Sequence, residues 1–188
     1  MSNDELRFFS YEILGLVGTT GVGTHDLRRM VKQGRMLDWA GESQYYSEPK
    51  RLAALGYLDA RKEPGKTRDR TVYTLTDKGR DALREWARTP VEFTPVKSDL
   101  LQRLLIADLV GEELTRTSAV ALRAELAELR VRVAEMEASA ELLPHRRKYL
   151  LLVTGHLRGL IELHEDLIDR IERELAPGDQ PKNASASA

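Results

Sequence analysis

Residues 43–58 read SQYYSEPKRLAALGYL, and the fold turns on whether this stretch is one helix. Pro49 speaks against it, because a proline inside a helix removes a backbone donor and typically costs ~3 kcal/mol. The spacing speaks for it. On a single helix Tyr45, Pro49, Leu52 and Gly56 follow i, i+4, i+7, i+11 and line one stripe, which packs inward. Ser43, Ser47 and Lys50 then fall on the opposite side, with Gln44, Tyr46 and Arg51 at its flanks. Two starts remain open. Either the helix runs from Ser43 to Leu55 with a loosened turn near Tyr45–Pro49, or Ser47 is the N-cap and Pro49 sits in a first turn that tolerates it. The longer helix is the preferred reading.

The segments on either side give this helix a setting. Upstream, ELRFFSYEILGLVG (5–18) is apolar with helical period, and GTTGVGT (18–24) reads as a turn between helices. Thr24 is placed to cap HDLRRMVKQG, in which Leu27, Met30 and Val31 share a face and Gly34 ends the helix. Downstream, YLDARK and RTVYTL flank EPGKTRD, whose Pro64-Gly65 suits a turn, so the two runs form a hairpin. Thr76 then caps DKGRDALREWA, with Leu83 and Trp86 facing inward. Helix, helix, helix, hairpin, helix is the order of a winged helix-turn-helix domain with a two-stranded wing.

In that arrangement the second helix of the turn enters the major groove of DNA. The outer face of 43–55 offers hydroxyl, amide, ammonium and guanidinium donors, which suit base edges and phosphates. The expected contacts are Ser43, Gln44, Tyr46, Ser47, Lys50 and Arg51, joined by Lys62, Lys66, Arg68 and Arg70 around the wing. Four cations on a thin hairpin suit a phosphate backbone or a minor groove, although an ordinary solvated turn has the same composition.

TPVEFTP (89–95) has two prolines in its last six residues and reads as a linker. Beyond it the chain is all helix. Ala119, Leu122, Leu126, Leu129, Val133, Met136, Ala140 and Leu143 alternate spacings of 3 and 4, the seam of an antiparallel helical hairpin or coiled coil. Pro144 stops that helix. Leu150, Val153, Leu157, Leu160, His164, Leu167 and Ile171 continue the rhythm in the next, and Ile161, Ile168 and Leu175 add a flanking stripe. One seam satisfies the hairpin, so the flanking stripe suggests a second copy of the chain. Packing of Ile161 and Ile168 on the N-terminal domain is the alternative. Leu150, Val153, Leu157, Leu160, Ile161, His164, Leu167, Ile168 and Ile171 are therefore the expected dimerisation residues. The division is residues 1–89 for a DNA-binding domain, 90–95 for a linker, 96–176 for an all-α dimerisation domain and 177–188 for a disordered tail. The fold class is mainly α.

Composition sets the bounds. The 188 residues are 41% hydrophobic and 31% charged, with a net charge of −1 and no cysteine, so disulfides and thiolate-bound metals are excluded. Residues 25–84 hold 14 Lys and Arg against 9 Asp and Glu, an excess of five; residues 96–175 hold 12 against 15. A basic front half and an acidic helical back half suit a nucleic-acid binder with a separate assembly domain. The longest apolar run is Tyr149–Val153, far short of the ~20 residues that span a bilayer. No export signal is evident at the N-terminus, so a cytoplasmic protein without a membrane partner is expected.

No catalytic constellation is found. His25, His145, His156 and His164 lack the i, i+4 spacing of a helical metal site, and Glu162, Glu165, Asp166 and Asp169 read as a solvated face. Neither an enzyme nor a cofactor or metal is expected.

Three stretches carry a family resemblance: SQYYSEPKRLAALGYL, the wing segment TRDRTVYTLT (67–76) and the overlapping TLTDKGRDAL (74–83). Together they resemble the PadR-type transcriptional regulators. Tyr46, Leu52 and Gly56 match positions of that family's recognition helix, and Arg68 and Arg70 match its wing arginines. Ser47, Pro49 and Asp69 depart from it, standing where a proline, a core leucine and the wing proline are usual. The resemblance is strongest over the N-terminal domain and extends by length and type to the helical tail. It implies a homodimeric repressor on a palindromic or pseudo-palindromic operator, released by a small, often aromatic or cationic, effector. Trp39, Trp86, Phe93 and Tyr149 are the expected lining of an effector pocket, or else simple packing residues. The alternative is a winged-helix and coiled-coil adaptor that binds protein without reading DNA.

Overall fold

The computed structural model describes residues 6–18, 20–33, 41–64 and 69–176. The chain divides between Phe93 and Thr94 into two compact units. Unit 1 runs α1 (Phe8–Val17), β1 (Val22–Gly23), α2 (Thr24–Gln33), α3 (Gln44–Ala54), β2 (Leu58–Glu63), β3 (Arg70–Leu75) and α4 (Asp77–Arg88). Unit 2 runs α5 (Asp99–Leu105), α6 (Ala107–Val110), α7 (Glu112–Ala140) and α8 (Arg147–Glu174).

The core of unit 1 gathers one residue or more from nearly every element: Ile13, Leu14 and Val17 of α1, Leu27 of α2, Tyr45 and Leu52 of α3, with Val22, Leu58 and Tyr73 from the strands. Met30, expected on the inner face of α2, is 44% exposed. The wing strands pair antiparallel from Leu58↔Leu75 to Glu63↔Arg70. A third strand is added where only a turn was expected. Val22 and Gly23 pair with Tyr73 and Val72, so β3 is central in the order β1-β3-β2. Gly21 lets this happen. Its φ is +84°, and a Cβ there would meet Thr74 Cγ2 at 2.8 Å.

The α3 helix begins at Gln44, with Ser43 at its N-cap, and Pro49 lies within it. Its entry is tightened by three-residue hydrogen bonds, Gln44 N–H to Gly41, Tyr45 to Glu42 and Tyr46 to Ser43, a common way for a helix to start. Tyr45, Pro49 and Leu52 are buried as their spacing predicts, but Gly56 is not on that stripe. The helix ends before it. Gly56 takes φ +77°, Tyr57 N–H bonds to Leu52 O at 2.9 Å and Gly56 N–H to Ala53 O at 3.0 Å. This is the paired-bond glycine cap that satisfies the last carbonyls.

The TLTDKG stretch fixes α4 against that same corner. Thr76 Oγ1 accepts from Gly79 N–H at 3.1 Å and lies 2.8 Å from Gly56 O. Lys78 Nζ donates to Leu55 O at 2.7 Å and rests 4.3 Å from the centroid of the Tyr57 ring. Gly79 is buried, and a Cβ there would come within 2.3 Å of Tyr57 O. Only glycine allows α4 so close to the chain leaving α3.

In unit 2, α7 and α8 form an antiparallel hairpin. Arg123 pairs with Asp169 and Glu172, Arg130 with Glu165, Arg158 with Glu137 and Arg147 with Glu141. Glu162, Asp166 and Asp169 are exposed, as expected of a solvated face, and Asp169 and half-buried Glu165 pair across the two helices at its edge. On α7 the buried residues are Thr115, Ala119, Leu126, Val133 and Ala140; the last four belong to the expected seam, whereas Leu143, expected at its end, is exposed beyond the helix. On α8 they are Thr154, Leu157, Ile161, Ile168 and Ile171. Ile161 (1% exposed) and Ile168 (0%) are therefore buried within one chain, and the stripe expected to meet a second copy is already closed. Among the described residues no helix is long and apolar enough to cross a membrane. The tail beginning at residue 177 lies outside the described residues.

Candidate nucleic-acid interface

The geometry of α1, α2 and α3 divides the expected reading residues into two groups. Ser43, Gln44, Ser47 and Lys50 are exposed on α3 or its cap. Ser47 Oγ lies 3.2 Å from Ser43 O, one turn back. Tyr46 is half-buried at the flank. Its hydroxyl accepts from Arg28 Nη1 of α2 at 3.5 Å, and its ring meets His25 edge-on at 6.2 Å. Arg28 Nη2 in turn lies 2.5 Å from Glu42 Oε1. The hydrogen bond to Tyr46, and secondarily the charge of Glu42, raise the Arg28 pKa above its usual value despite the cost of burial.

Arg51 belongs to the second group. Its guanidinium is turned inward instead of outward, with Nε 3.0 Å from Glu48 Oε2 and Nη2 2.7 Å from Glu48 Oε1. Nη2 also donates to Ser10 Oγ of α1 at 3.1 Å, and Ser10 Oγ donates to Glu48 Oε1 at 2.7 Å. Ser10 is fully buried and also accepts from the Arg7 N–H at 2.9 Å. Burial opposes ionisation of Glu48, but hydrogen bonds from Arg51 and Ser10 outweigh it and hold the carboxyl below the usual glutamate range. The network pins α3 to α1. Arg51 therefore positions the helix and is not part of its outer face.

At the loop end of the wing strands Arg70 bridges two carboxylates, Glu63 at 3.2 Å and Asp26 of α2 at 3.9 Å. Asp26 also pairs with Arg29 at 2.8 Å. Lys62 is exposed on β2. Lys66 and Arg68 lie outside the described residues. Sequence reasoning missed Ser10, Asp26, Arg28 and Glu42. Asp26–Arg29 was visible as an i, i+3 pair, but nothing local links Ser10 to Glu48 across 38 residues.

The remaining site residues divide similarly. On α8, Leu157 and Ile171 are buried with Ile161 and Ile168, while Leu150, Leu160, His164 and Leu167 are half-buried. His164 Nδ1 is 2.7 Å from Leu160 O. Val153 is 39% exposed, and beside it Tyr149, Leu152 and Leu163 are 57%, 74% and 62% exposed. With Leu160 and Leu167 these form an apolar stripe at i, i+3, i+4, i+11, i+14, i+18, roughly a quarter-turn from the buried one. Of the expected effector residues, Trp39 lies outside the described residues. Trp86 stacks on Tyr11 at 4.9 Å and meets Phe8 edge-on at 6.1 Å, and Phe93 is 87% exposed. No group of three or more metal-ligating side chains exists among the described residues.

Against known proteins, no protein-family model matches the chain. A relative in Bacillus subtilis strain 168, the negative transcriptional regulator PadR, is 28% identical over 143 residues, covering 72% of this chain and 79% of its own. The crystal structure of Bacillus subtilis PadR with operator DNA matches at a TM-score of 0.65 and 22% identity, over 90% of this chain and 98% of that one. The same protein with p-coumaric acid matches at 0.58 and 22%, over 90% and 98%. The PadR-like regulator BC1756 of Bacillus cereus matches at 0.66 and 16%, over 93% and 98%. The solved structures establish the shared fold, a winged helix-turn-helix followed by helices. These relatives are regulators of transcription and not enzymes.

Proposed function

We propose that this chain, a PadR-type transcriptional regulator, is a cytoplasmic homodimeric repressor that reads DNA with the outer face of α3. One observation carries the reading. Ser43, Gln44, Ser47 and Lys50 project from one exposed face, while the helix is fixed to α1 at its flank by Glu48 and Arg51. A rigid helix with an outer surface of donors suits base edges and phosphates alike. The wing is the second grip, through Lys62 and Arg70 on its strands, with Lys66 and Arg68 between them in the sequence.

The dimer follows from α8. Tyr149, Leu152, Val153 and Leu163 expose apolar surface on one stripe, and a stripe of that length on a water-exposed helix calls for a partner. A second copy is the simplest one, and a two-fold pair presents two reading helices to half-sites about one DNA turn apart. Leu160, Leu167, Val153 and half-buried Leu150 and His164 remain within reach of that interface. Ile161, Ile168, Leu157 and Ile171 support it from beneath.

Repression is favoured because the sequence relative is a negative regulator. An aromatic effector is favoured because PadR has been crystallised with p-coumaric acid. An effector acts by preferring the conformation that misaligns the two reading helices.

The test is selection of duplexes from a random-sequence pool, followed by titration of the recovered duplex with and without p-coumaric acid. The expected results are a bound duplex with inverted half-sites and affinity that falls steeply with salt. Recovery of no duplex would favour the protein-binding adaptor.

A further inference from the structure

Three arginines around the reading face are already held by carboxylates. Arg28 is on Glu42, Arg29 is on Asp26, and Arg70 lies between Asp26 and Glu63. The pairs form two chains through α2. Glu63–Arg70–Asp26–Arg29 ties the wing to the first turn of α2, and Glu42–Arg28–Tyr46 ties α2 to the start of α3. A surface built for DNA affinity alone would carry no carboxylates here, because each repels the phosphates that approach its arginine.

We infer that Asp26 and Glu42 are specificity-determining residues, which hold Arg29 and Arg28 in fixed places, Asp26 also reaching Arg70 at longer range, and suppress binding to DNA of the wrong sequence. The inference rests on the DNA-reading function proposed above. Non-specific binding comes almost wholly from cations meeting phosphates and releasing counterions. A guanidinium already neutralised by a carboxylate gains less from an arbitrary phosphate, and the neighbouring negative charge opposes the approach. The operator complex is affected differently. A guanidinium fork fixed in advance loses little freedom when acceptors lie where it points, and Arg28 is fixed twice, by Glu42 and by the Tyr46 hydroxyl. The two carboxylates therefore discriminate by lowering affinity for everything except the matching duplex. Their side chains are 34% and 58% exposed, and exposed ion pairs contribute little to stability. Their removal is read in binding and not in folding.

The experiment uses the full chain with Asp26→Asn, Glu42→Gln and both together. Two probes are titrated: a duplex recovered by the wild-type chain from a random pool, and a scrambled duplex of equal length and composition. Each substitution is expected to tighten the scrambled duplex about three- to fivefold, and the pair about tenfold. Affinity for the recovered duplex is expected to change less than about twofold, so the specificity ratio falls. The salt slope on the scrambled duplex is expected to steepen by about one for each arginine freed. An unchanged ratio, or equal weakening on both probes, would overturn the inference and leave DNA reading intact. If the wild-type chain recovers no duplex, the functional reading fails and the inference with it. Each single variant is an independent arm, and a circular-dichroism melt verifies that it is folded.

Discussion

Lys50 leaves the outer face of α3 for solvent, while the next side chain, Arg51, folds back onto Glu48 and Ser10. Two adjacent cations thus have different consequences when removed. Lys50→Ala is expected to weaken duplex binding about fivefold and leave the melting temperature unchanged, measured by fluorescence anisotropy and calorimetry. Arg51→Ala is expected to cost about 1–2 kcal/mol of stability, because Glu48 is left half-buried without its cation; partial exposure reduces this from the value for a fully buried pair. Glu48 also sets a pH dependence. Its carboxyl titrates lower in the folded chain than in the unfolded one, so its contribution is complete above the unfolded value of about 4.3. That contribution is lost as pH falls through the folded value. Urea midpoints between pH 3 and 6 are expected to drop more steeply for the wild-type chain than for Glu48→Gln.

At the scale of elements, what was legible in the sequence depended on period and punctuation. The 3.6 spacing of Tyr45, Pro49 and Leu52 placed α3 correctly despite its proline, since the ring falls on the buried side. Thr76 announced α4, and the alternation of 3 and 4 announced α7. Two features were not legible. β1 is two residues long, too short for any period, and exists only because β3 offers an edge. On α8 two apolar stripes lie side by side, and heptad spacing cannot say which faces α7. The Ile161–Ile168 stripe, with Thr154, is the one that packs inward. The inward turn of Arg51 was hidden for a similar reason, because its partner Ser10 is 41 residues away. A test at this scale is Gly79→Ala. With a Cβ placed 2.3 Å from Tyr57 O, α4 must shift, and a loss of about 1–3 kcal/mol is expected in denaturant unfolding.

For the whole molecule, the proposed function needs both a reading helix in unit 1 and a dimer through unit 2. The exposed stripe of α8 is the weak point to strike. Leu152→Asp with Leu163→Asp is expected to leave each chain folded, since neither residue is in the buried seam. Sedimentation at micromolar concentration is then expected to give a 21.3 kDa species, against twice that mass for the wild-type chain. Binding of such a monomer to the duplex with both half-sites is expected to be weaker than that of the dimer by about two orders of magnitude, from lost avidity alone. The most direct measurement of the central claim is the salt dependence of binding between the full chain and its recovered duplex. The account requires a log–log slope of about −4 or steeper, shallower by about one for each Lys50→Ala side chain in the dimer. A flat slope, or one that Lys50→Ala leaves unchanged, would contradict DNA reading by the outer face of α3.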